Sequence, residues 1–262
     1  LLGALIGYES VARDFEKALE DDDVAAIIFR VNSGGGVSLT ADRIARTVET
    51  ANREKPVIVS MVDVAGSGGY SVSYRARTIV AGANTITGSI GSITGKLNFR
   101  GLYNRLGITK DGVGVGPGQG FDSDYLPWNA EDMEKVRTRH WAEYRAWVAD
   151  IARHRDMTSA EVDSLARGRV WTGAQARENG LVDEVGGLDR AVVLAKEAAG
   201  LAADEAVTLV HYPQPEGFLS QLLGVPMSTA VERAASSWMR GRIEEATRFS
   251  RSELRLAEVP VP

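Results

Sequence analysis

Nearly continuous apolar runs alternate with amphipathic segments along the first 115 residues of the chain. The runs lie at 24–31, 57–62 and 78–82. A short run with few polar residues is typical of a strand that is covered on both faces. The neighbouring segments 11–19 and 40–53 carry apolar residues at the spacing of an amphipathic helix. This β-α-β order with short connections predicts an α/β fold built on a parallel sheet.

Capping signals mark helices in the next hundred residues. Asn129 is the predicted N-cap of a long helix that ends near Arg155. The sequence TSAE at 158–161 fits a capping box, and Thr172 fits the N-cap of a two-turn helix that Gly180 ends. Periodicity predicts the remaining elements, which are a short helix from Ser67 to about Arg77, helices over 96–107 and 186–200, a strand over 108–116 and a strand beginning at 170.

The pattern changes after Gly200, where the chain becomes broken by Pro and then helix-like over 228–258. We therefore expect an α/β domain over 1–200 and a mostly helical C-terminal extension over 201–262. The chain also starts abruptly with the apolar LLGALIG, with no initiator Met and no basic region of a signal peptide. We expect it to be part of a longer protein, with a strand beginning at the break.

Composition excludes several kinds of chemistry. The net charge of −5 over 262 residues gives no overall attraction to nucleic acid. The absence of Cys excludes thiol catalysis and cysteine-bound metals. The three His residues are not clustered, so we expect no metal and no other cofactor. No run approaches the ~18 apolar residues of a membrane-spanning helix.

Two glycine clusters follow predicted strands, at 34–36 and around Ser67 in Gly66-Ser67-Gly68-Gly69. Carboxyl ends of parallel strands are where sites form in such sheets. Glycine lets a substrate approach the backbone N–H groups, and donors at a helix start favour negative charge. A serine between two such donors is typical of acyl transfer, in which the donors stabilise an oxyanion.

Four motifs at compatible spacings resemble the signal peptide peptidase A (protease IV) family of serine peptidases. They are RVNSGGG at 30–36, AGSGGY at 65–70, TGSIGS at 87–92 and GRVWTGAQARENGLVDEVGG at 168–187. The resemblance covers roughly residues 7 to 200 and implies a crotonase-like, Clp-protease-like α/β domain. It implies that Ser67 is the nucleophile, that Gly36 and Gly68 donate to the oxyanion, and that Ser89 orients the base. One small departure is Gly34, where the family usually has Pro.

The general base is the larger departure from the pattern of this family. The family uses a Ser–Lys dyad, in which the Lys is neutral. In short members of the family this Lys lies in the segment that corresponds to 114–122, which here contains no Lys. In long members the amino half supplies the Lys, so we expect this chain to be the carboxyl half of such a protein. Lys96 as a local base and a domain without a base are the alternatives.

The remaining lysines lie on charged helices, at a turn or at the wrong end of the sheet: Lys17, Lys55, Lys110, Lys135 and Lys196. Histidine is not expected to act as the base, because His140 and His154 lie on the long predicted helix and His211 lies beyond the core. Trp141, Tyr144 and Trp147 have helical spacing, which favours core or subunit packing over contact with a substrate.

The resemblance implies a serine endopeptidase that hydrolyses cleaved signal peptides or other short hydrophobic peptides. It further implies a homo-oligomeric ring, association with the cell membrane through a segment outside this chain, and a catalytic domain outside the cytoplasm. A catalytically inactive half that builds the ring and binds peptides is the alternative from another class. A crotonase-type acyl-CoA enzyme, which would use the same paired donors on a thioester, is the third.

Overall fold

The computed structural model describes residues 6–114 and 118–213. The chain divides into two units, Leu1–Ala206 and Val207–Pro262. All helices and strands of the described residues lie in the first unit. The helix expected over 228–258 and the first five residues, where a strand was expected to begin, lie outside the described residues. The boundary expected between 200 and 201 stays a prediction.

Strand β2 (Val57–Gly66) is the centre of a six-stranded sheet. The strands β1 (Ile27–Ser33), β3 (Thr78–Ala81) and β4 (Ile86–Gly88) all pair with β2 in parallel. The first half of β2 lies between β1 and β3, and its last three residues pair with β4. The parallel β-α-β core expected from the sequence is therefore confirmed.

Two short strands extend the sheet at its edges. β5 (Val170–Thr172) pairs with β4, and β6 (Glu184–Val185) pairs with β3 in parallel. The β4–β5 pair is antiparallel, so this edge strand lies outside the parallel core that was expected. β6 was not predicted, because two residues are too few to show a periodicity.

Helices cover the sheet and the site at its edge. In chain order they are α1 (Tyr8–Glu20), α2 (Ser38–Glu54), α3 (Gly68–Ser71), α4 (Arg100–Arg105), α5 (Ala130–His154), α6 (Ser159–Leu165), α7 (Gly173–Glu178) and α8 (Leu188–Ala198). The capping boxes expected at Asn129 and Thr158 are both present, and Thr172 caps α7.

The segment after α4 corrects one prediction. Residues 108–114 form no strand, so the part of the predicted strand over 108–116 that the structure describes is wrong. Ile108 and Val113 are exposed, and Lys110 forms an ion pair with Asp124. A strand needs a partner for its backbone hydrogen bonds, and this segment pairs with none among the described residues.

Alternate residues of β2 pack on opposite faces of the sheet. Val57, Val59 and Met61 belong to the large core that also contains residues of α2, α3 and α5. Ile58 belongs to a second cluster with Val80 and with Ala191 of α8. Burial on both faces is the reason that β2 has almost no polar positions.

Tyr70 of α3 connects the centre of the fold to the segment after α7. Its ring is fully buried, and its hydroxyl donates to the Leu181 carbonyl oxygen at 3.0 Å. Burial raises the pKa of Tyr70, so the hydroxyl stays a protonated donor. Leu181 is itself fully buried, so no water can replace this hydrogen bond.

We expect Tyr70→Phe to lower the free energy of unfolding by about 1–2 kcal/mol, because a buried carbonyl oxygen loses its donor. Urea denaturation followed by tryptophan fluorescence measures the change. Tyr8→Phe is the control, since Tyr8 is only partly buried and its hydroxyl forms no hydrogen bond with the described residues. Equal stability of the Tyr70→Phe variant and the parent would contradict the prediction.

Candidate active site

Ser67 occupies the junction between the end of β2 and the first residue of α3. Its backbone has φ 53° and ψ −115°, which few residues other than Gly adopt, and its N–H donates to the Gly88 carbonyl oxygen at 2.9 Å. Its hydroxyl forms no hydrogen bond with any described residue. A strained backbone of this kind costs on the order of 1–3 kcal/mol and persists only where the surroundings impose it.

Close backbone contacts impose this conformation. A Cβ atom on Gly35 would lie 2.8 Å from the Ser67 Cβ atom, and one on Gly69 would lie 2.4 Å from the Ser33 carbonyl oxygen. Side chains at these positions would push α3 away from the end of β1. The glycines therefore let the turn after β1 touch the turn after β2.

The amides predicted to bind an oxyanion lie side by side at this contact. A Cβ atom on Gly68 would lie 2.9 Å from the Gly36 nitrogen, and one on Gly35 would lie 2.9 Å from the Gly68 nitrogen. Neither the Gly36 nor the Gly68 N–H donates to another described residue. Two unpaired donors next to an unpaired serine hydroxyl are what acyl transfer requires.

A local change of register brings the two turns to the same level. Val31 of β1 pairs with Met61, but Ser33 pairs with Ala65, so β2 contains two extra residues here. Asn32 replaces the missing ladder contact, because its Oδ1 accepts from the Val64 N–H at 3.2 Å. The irregularity places Ser33 and the glycines that follow it beside the end of β2.

Ser89 lies next to the strand end that carries Ser67. A Cβ atom on Gly66 would lie 3.4 Å from the Ser89 Cβ atom, and Ser89 has a left-handed φ of 48°. Its N–H donates to the Arg169 carbonyl oxygen at 2.7 Å, in the turn before β5. The structure thus brings together all four residues that the sequence singled out, namely Gly36, Ser67, Gly68 and Ser89.

These four residues line one open cleft with a volume of about 1810 Å³. Residues of α2 form one wall, and residues of α5 form another. Both His140 and His154 of α5 face this cleft, and His140 Nε2 lies 3.4 Å from Ser92 Oγ. The sequence predicted the helix but not that one of its faces borders the site, because helical periodicity does not indicate which partner a face meets.

The α5 wall also includes aromatic side chains. Trp141 is exposed and lines the cleft together with Trp147, whereas Tyr144 is buried and its hydroxyl donates to Asp163. The sequence favoured packing for all three. The spacing of the three aromatics does not separate the exposed Trp141 from the buried Tyr144, so the sequence contains no signal of the cleft here.

None of the six lysines lines the cleft, and all six lie among the described residues. Lys96 Nζ donates to the carbonyl oxygens of Gly120 and Phe121. Lys55 Nζ donates to two carbonyl oxygens at the end of α1. The other four are exposed or bound elsewhere: Lys17, Lys110, Lys135 and Lys196. The site as described therefore contains a serine hydroxyl and two N–H donors but no lysine amine.

The described residues contain no group of His, Asp and Glu side chains that could hold a metal ion. Over the same residues, no helix has the length and apolar character needed to cross a membrane.

A comparison with protein families identifies the chain. The model of peptidase family S49 matches residues 49–202, which is more than half of the sequence. The chain belongs to peptidase family S49. The match includes Ser67, Gly68 and Ser89 but begins after the turn that contains Gly36.

Curated relatives carry names that agree with the family. The chain is 32% identical to the chloroplastic serine protease SPPA of Arabidopsis thaliana over 246 residues, which are 94% of this chain and 36% of that protein. It is 37% identical to protease 4 of Haemophilus influenzae over 205 residues, which are 77% of this chain and 33% of that one. The chain thus spans about a third of the length of these two S49 relatives.

The fold is similar to that of a solved ClpP1 structure. A ClpP1 mutant from Listeria monocytogenes superimposes with a TM-score of 0.50 and 14% sequence identity, covering 71% of this chain and 86% of that one. This likeness confirms the Clp-protease-like α/β fold expected from the motifs.

Substitution of Gly35 tests the contact between the two turns. In the native polypeptide that contains this chain, we expect Gly35→Ala to lower the rate of peptide hydrolysis by about 10²–10³-fold, because its Cβ would displace the Ser67 side chain and the Gly68 amide that follows it. It should also destabilise the fold, since Gly35 has φ +117°. Peptide hydrolysis and thermal unfolding measure the two effects.

Gly34→Ala is the matched control in the same turn. A Cβ on Gly34 meets nothing within 4 Å, so both activity and stability should stay close to those of the parent. An active Gly35→Ala variant, or a Gly34→Ala variant as impaired as Gly35→Ala, would show that the close contact does not build the site.

Proposed function

We propose that this S49 peptidase is a serine endopeptidase in which Ser67 is the nucleophile. The observation that carries the proposal is the unpaired Ser67 hydroxyl beside the two unpaired N–H groups of Gly36 and Gly68. A backbone held in this strained conformation is otherwise a cost to the fold. The strain is explained if Ser67 Oγ attacks a carbonyl carbon and the two adjacent N–H groups hold the oxyanion.

The reaction would proceed by acyl transfer. As the base takes the Ser67 proton, Oγ attacks the peptide carbonyl carbon, and the N–H groups of Gly36 and Gly68 hold the negative oxygen. The base then gives its proton to the leaving amine, which breaks the C–N bond and leaves an ester on Ser67. Water, deprotonated by the same base, hydrolyses this ester and restores the serine hydroxyl.

We propose that the base is a neutral Lys from a segment outside this chain. No lysine of the chain lines the cleft, and the chain spans about a third of the long S49 relatives. Ser89 next to the Ser67 strand end would orient the amine. His140 is the alternative base, because it lines the same cleft. Its Nε2, however, lies 3.4 Å from Ser92 Oγ and is paired with that hydroxyl.

We propose short hydrophobic peptides, including cleaved signal peptides, as substrates. Exposed apolar side chains of the cleft support this substrate class, namely Val37, Leu39, Ile93 and Trp141. Burying such side chains against an apolar peptide contributes about 25 cal/mol per Å². They lie along the cleft rather than in a closed pocket, which suits an extended peptide more than a small molecule such as an acyl-CoA.

We propose that copies of the chain assemble into a ring. The support is the segment around α4, where no residue of the helix is buried and Leu97, Leu102, Leu106 and Ile108 are exposed. Exposed apolar residues in such number are typical of an interface.

We also propose that the protein associates with the cell membrane through a segment outside this chain, with the catalytic domain outside the cytoplasm. The family resemblance supports this part of the proposal.

A fluorophosphonate probe tests the nucleophile in the native polypeptide that contains this chain. We expect one labelled residue, Ser67, and no label on Ser67→Ala, whose peptidase activity should fall by roughly 10⁴-fold or more. Ser71→Ala is the control, because Ser71 also lines the cleft and is not assigned a role in the reaction.

The same probe distinguishes the sources of the base. If a segment outside this chain supplies it, the isolated chain should stay unlabelled and His140→Asn in the native polypeptide should label normally. Loss of labelling in His140→Asn alone would instead make His140 the base. A folded native polypeptide that never labels would favour the inactive, peptide-binding alternative.

Leu106→Asp tests the assembly. A carboxylate at an exposed apolar position should disrupt an interface there, so the variant should have a smaller molar mass than the parent by light scattering after size exclusion. Val193→Asp on α8 is the control, because Val193 is an exposed apolar residue away from α4. An unchanged mass for Leu106→Asp, or a monomeric parent, would contradict the proposed interface.

A further inference from the structure

Arg75 lies at the base of the cleft and is almost fully buried, with 4% of its side chain exposed. Burial of a charge this complete requires partners, and Arg75 has four. Its guanidinium donates to Glu49 Oε2 at 2.8 Å, to Asp42 Oδ1 at 3.3 Å and to the carboxylate of Asp150. Its Nε donates to the Tyr74 hydroxyl oxygen at 3.2 Å.

The partners of Arg75 belong to different walls of the cleft. Asp42 and Glu49 are on α2, and Asp150 is on α5. Arg75 itself follows α3, eight residues after Ser67. The Arg75 guanidinium therefore joins three parts of the site. It connects the segment after α3, which follows Ser67, to α2 beside the Gly36 turn and to α5 on the other side of the cleft.

Other arginines neutralise the same carboxylates without joining the walls. Arg46 pairs with Asp42 at 2.9 Å, Arg53 pairs with Glu49 at 3.1 Å, and Arg153 pairs with Asp150. Each of these arginines is exposed and lies on the same helix as its carboxylate, three or four residues away. Among the described arginines, only Arg75 bridges from these three carboxylates to another element, and the neighbouring Tyr74 hydroxyl adds a hydrogen bond to Asp150 at 2.5 Å.

The Asp150 carboxylate is held in its charged form. Burial alone would raise the pKa of Asp150, but the hydrogen bond from Tyr74 and the charge of Arg75 lower it. A carboxylate with a lowered pKa contributes its stability above its ordinary pKa and loses it as the pH falls through the lowered value. The Asp150–Arg75 ion pair is therefore intact throughout the neutral range.

We propose that Arg75 is a positioning residue that fixes the distance between the Gly36 amide and the Ser67–Gly68 amide. It acts through α2 and α5 and need not touch the substrate. The proposal rests on the proposed function of Ser67. Because misplacement of a reacting group by about 1 Å can cost 10²-fold in rate, a loose connection between α2 and α3 would act mainly on the chemical step.

Labelling rates and steady-state kinetics of Arg75→Met in the native polypeptide test this proposal. We expect the rate of fluorophosphonate labelling and kcat to fall by about 10–100-fold, with KM changed less than about threefold, at a temperature where the variant is folded. Arg75→Lys should be intermediate, because an ammonium can reach one carboxylate but cannot bridge two helices as a guanidinium does.

Two arginine variants are the controls. Arg155→Met removes another buried guanidinium, 8% exposed, whose partners Asp183 and Gly180 lie outside the cleft. It should lose stability but label at the parental rate while folded. Arg53→Met removes an exposed partner of Glu49 and should change neither property. Equal labelling of Arg75→Met and the parent, or equal losses in Arg75→Met and Arg155→Met, would overturn the proposal.

Hydrogen exchange separates this proposal from the identity of the nucleophile. Arg75→Met should speed the exchange of the first hydrogen-bonded amides after the two glycine turns, which are those of Ala41, Ser71 and Val72, whereas Arg155→Met should not. If the parent never labels, the function proposed for Ser67 fails, and the exchange result alone then decides whether Arg75 holds the two turns together. Unchanged exchange in Arg75→Met would overturn the positioning role in either case.

Discussion

The backbone contact between two turns is the constraint on which the site depends. Gly35 and Gly68 approach so closely that a methyl group on either would overlap the other turn. This contact holds Ser67 at a positive φ and leaves its hydroxyl and two neighbouring amides without partners. Unpaired polar groups are costly inside a protein, so they have to lie at an open edge, and the cleft provides it. The same feature that strains the chain therefore leaves a serine hydroxyl and two N–H donors accessible from the cleft.

The rest of the fold supports this contact from several directions. The register change at Asn32 brings the end of β1 level with the end of β2. On the other side, the Ser67 N–H donates a hydrogen bond to the Gly88 carbonyl oxygen at the end of β4. Tyr70 anchors the helix that follows, and Arg75 ties it to α2 and α5. Each of these interactions joins residues distant in sequence, which is why a helix of only four residues can be held in place.

Local signals predicted what depends on local structure. Burial of β2 on both faces, the caps at Asn129 and Thr158 and the serine between glycines could all be predicted from the sequence, because each follows from neighbouring residues. The antiparallel β5, the strand wrongly expected over 108–116 and the α5 wall depend on which distant partner a segment meets. Arg75 was missed for the same reason, since nothing in its neighbours indicates that three carboxylates from two other helices surround it.

The electrostatics of the cleft bear on the proposed base. A lysine can accept a proton only when it is neutral, and a nearby free carboxylate would favour its charged form. Four carboxylates line the cleft, and each is already paired with arginine: Asp42, Glu49, Glu143 and Asp150. The chain's own Lys110, by contrast, has its pKa raised by its hydrogen bond to Asp124. An amine entering from another segment would meet no unpaired carboxylate among the described residues of the cleft. Nothing there would favour its charged form as Asp124 favours the charged form of Lys110, so the amine could remain neutral beside Ser67.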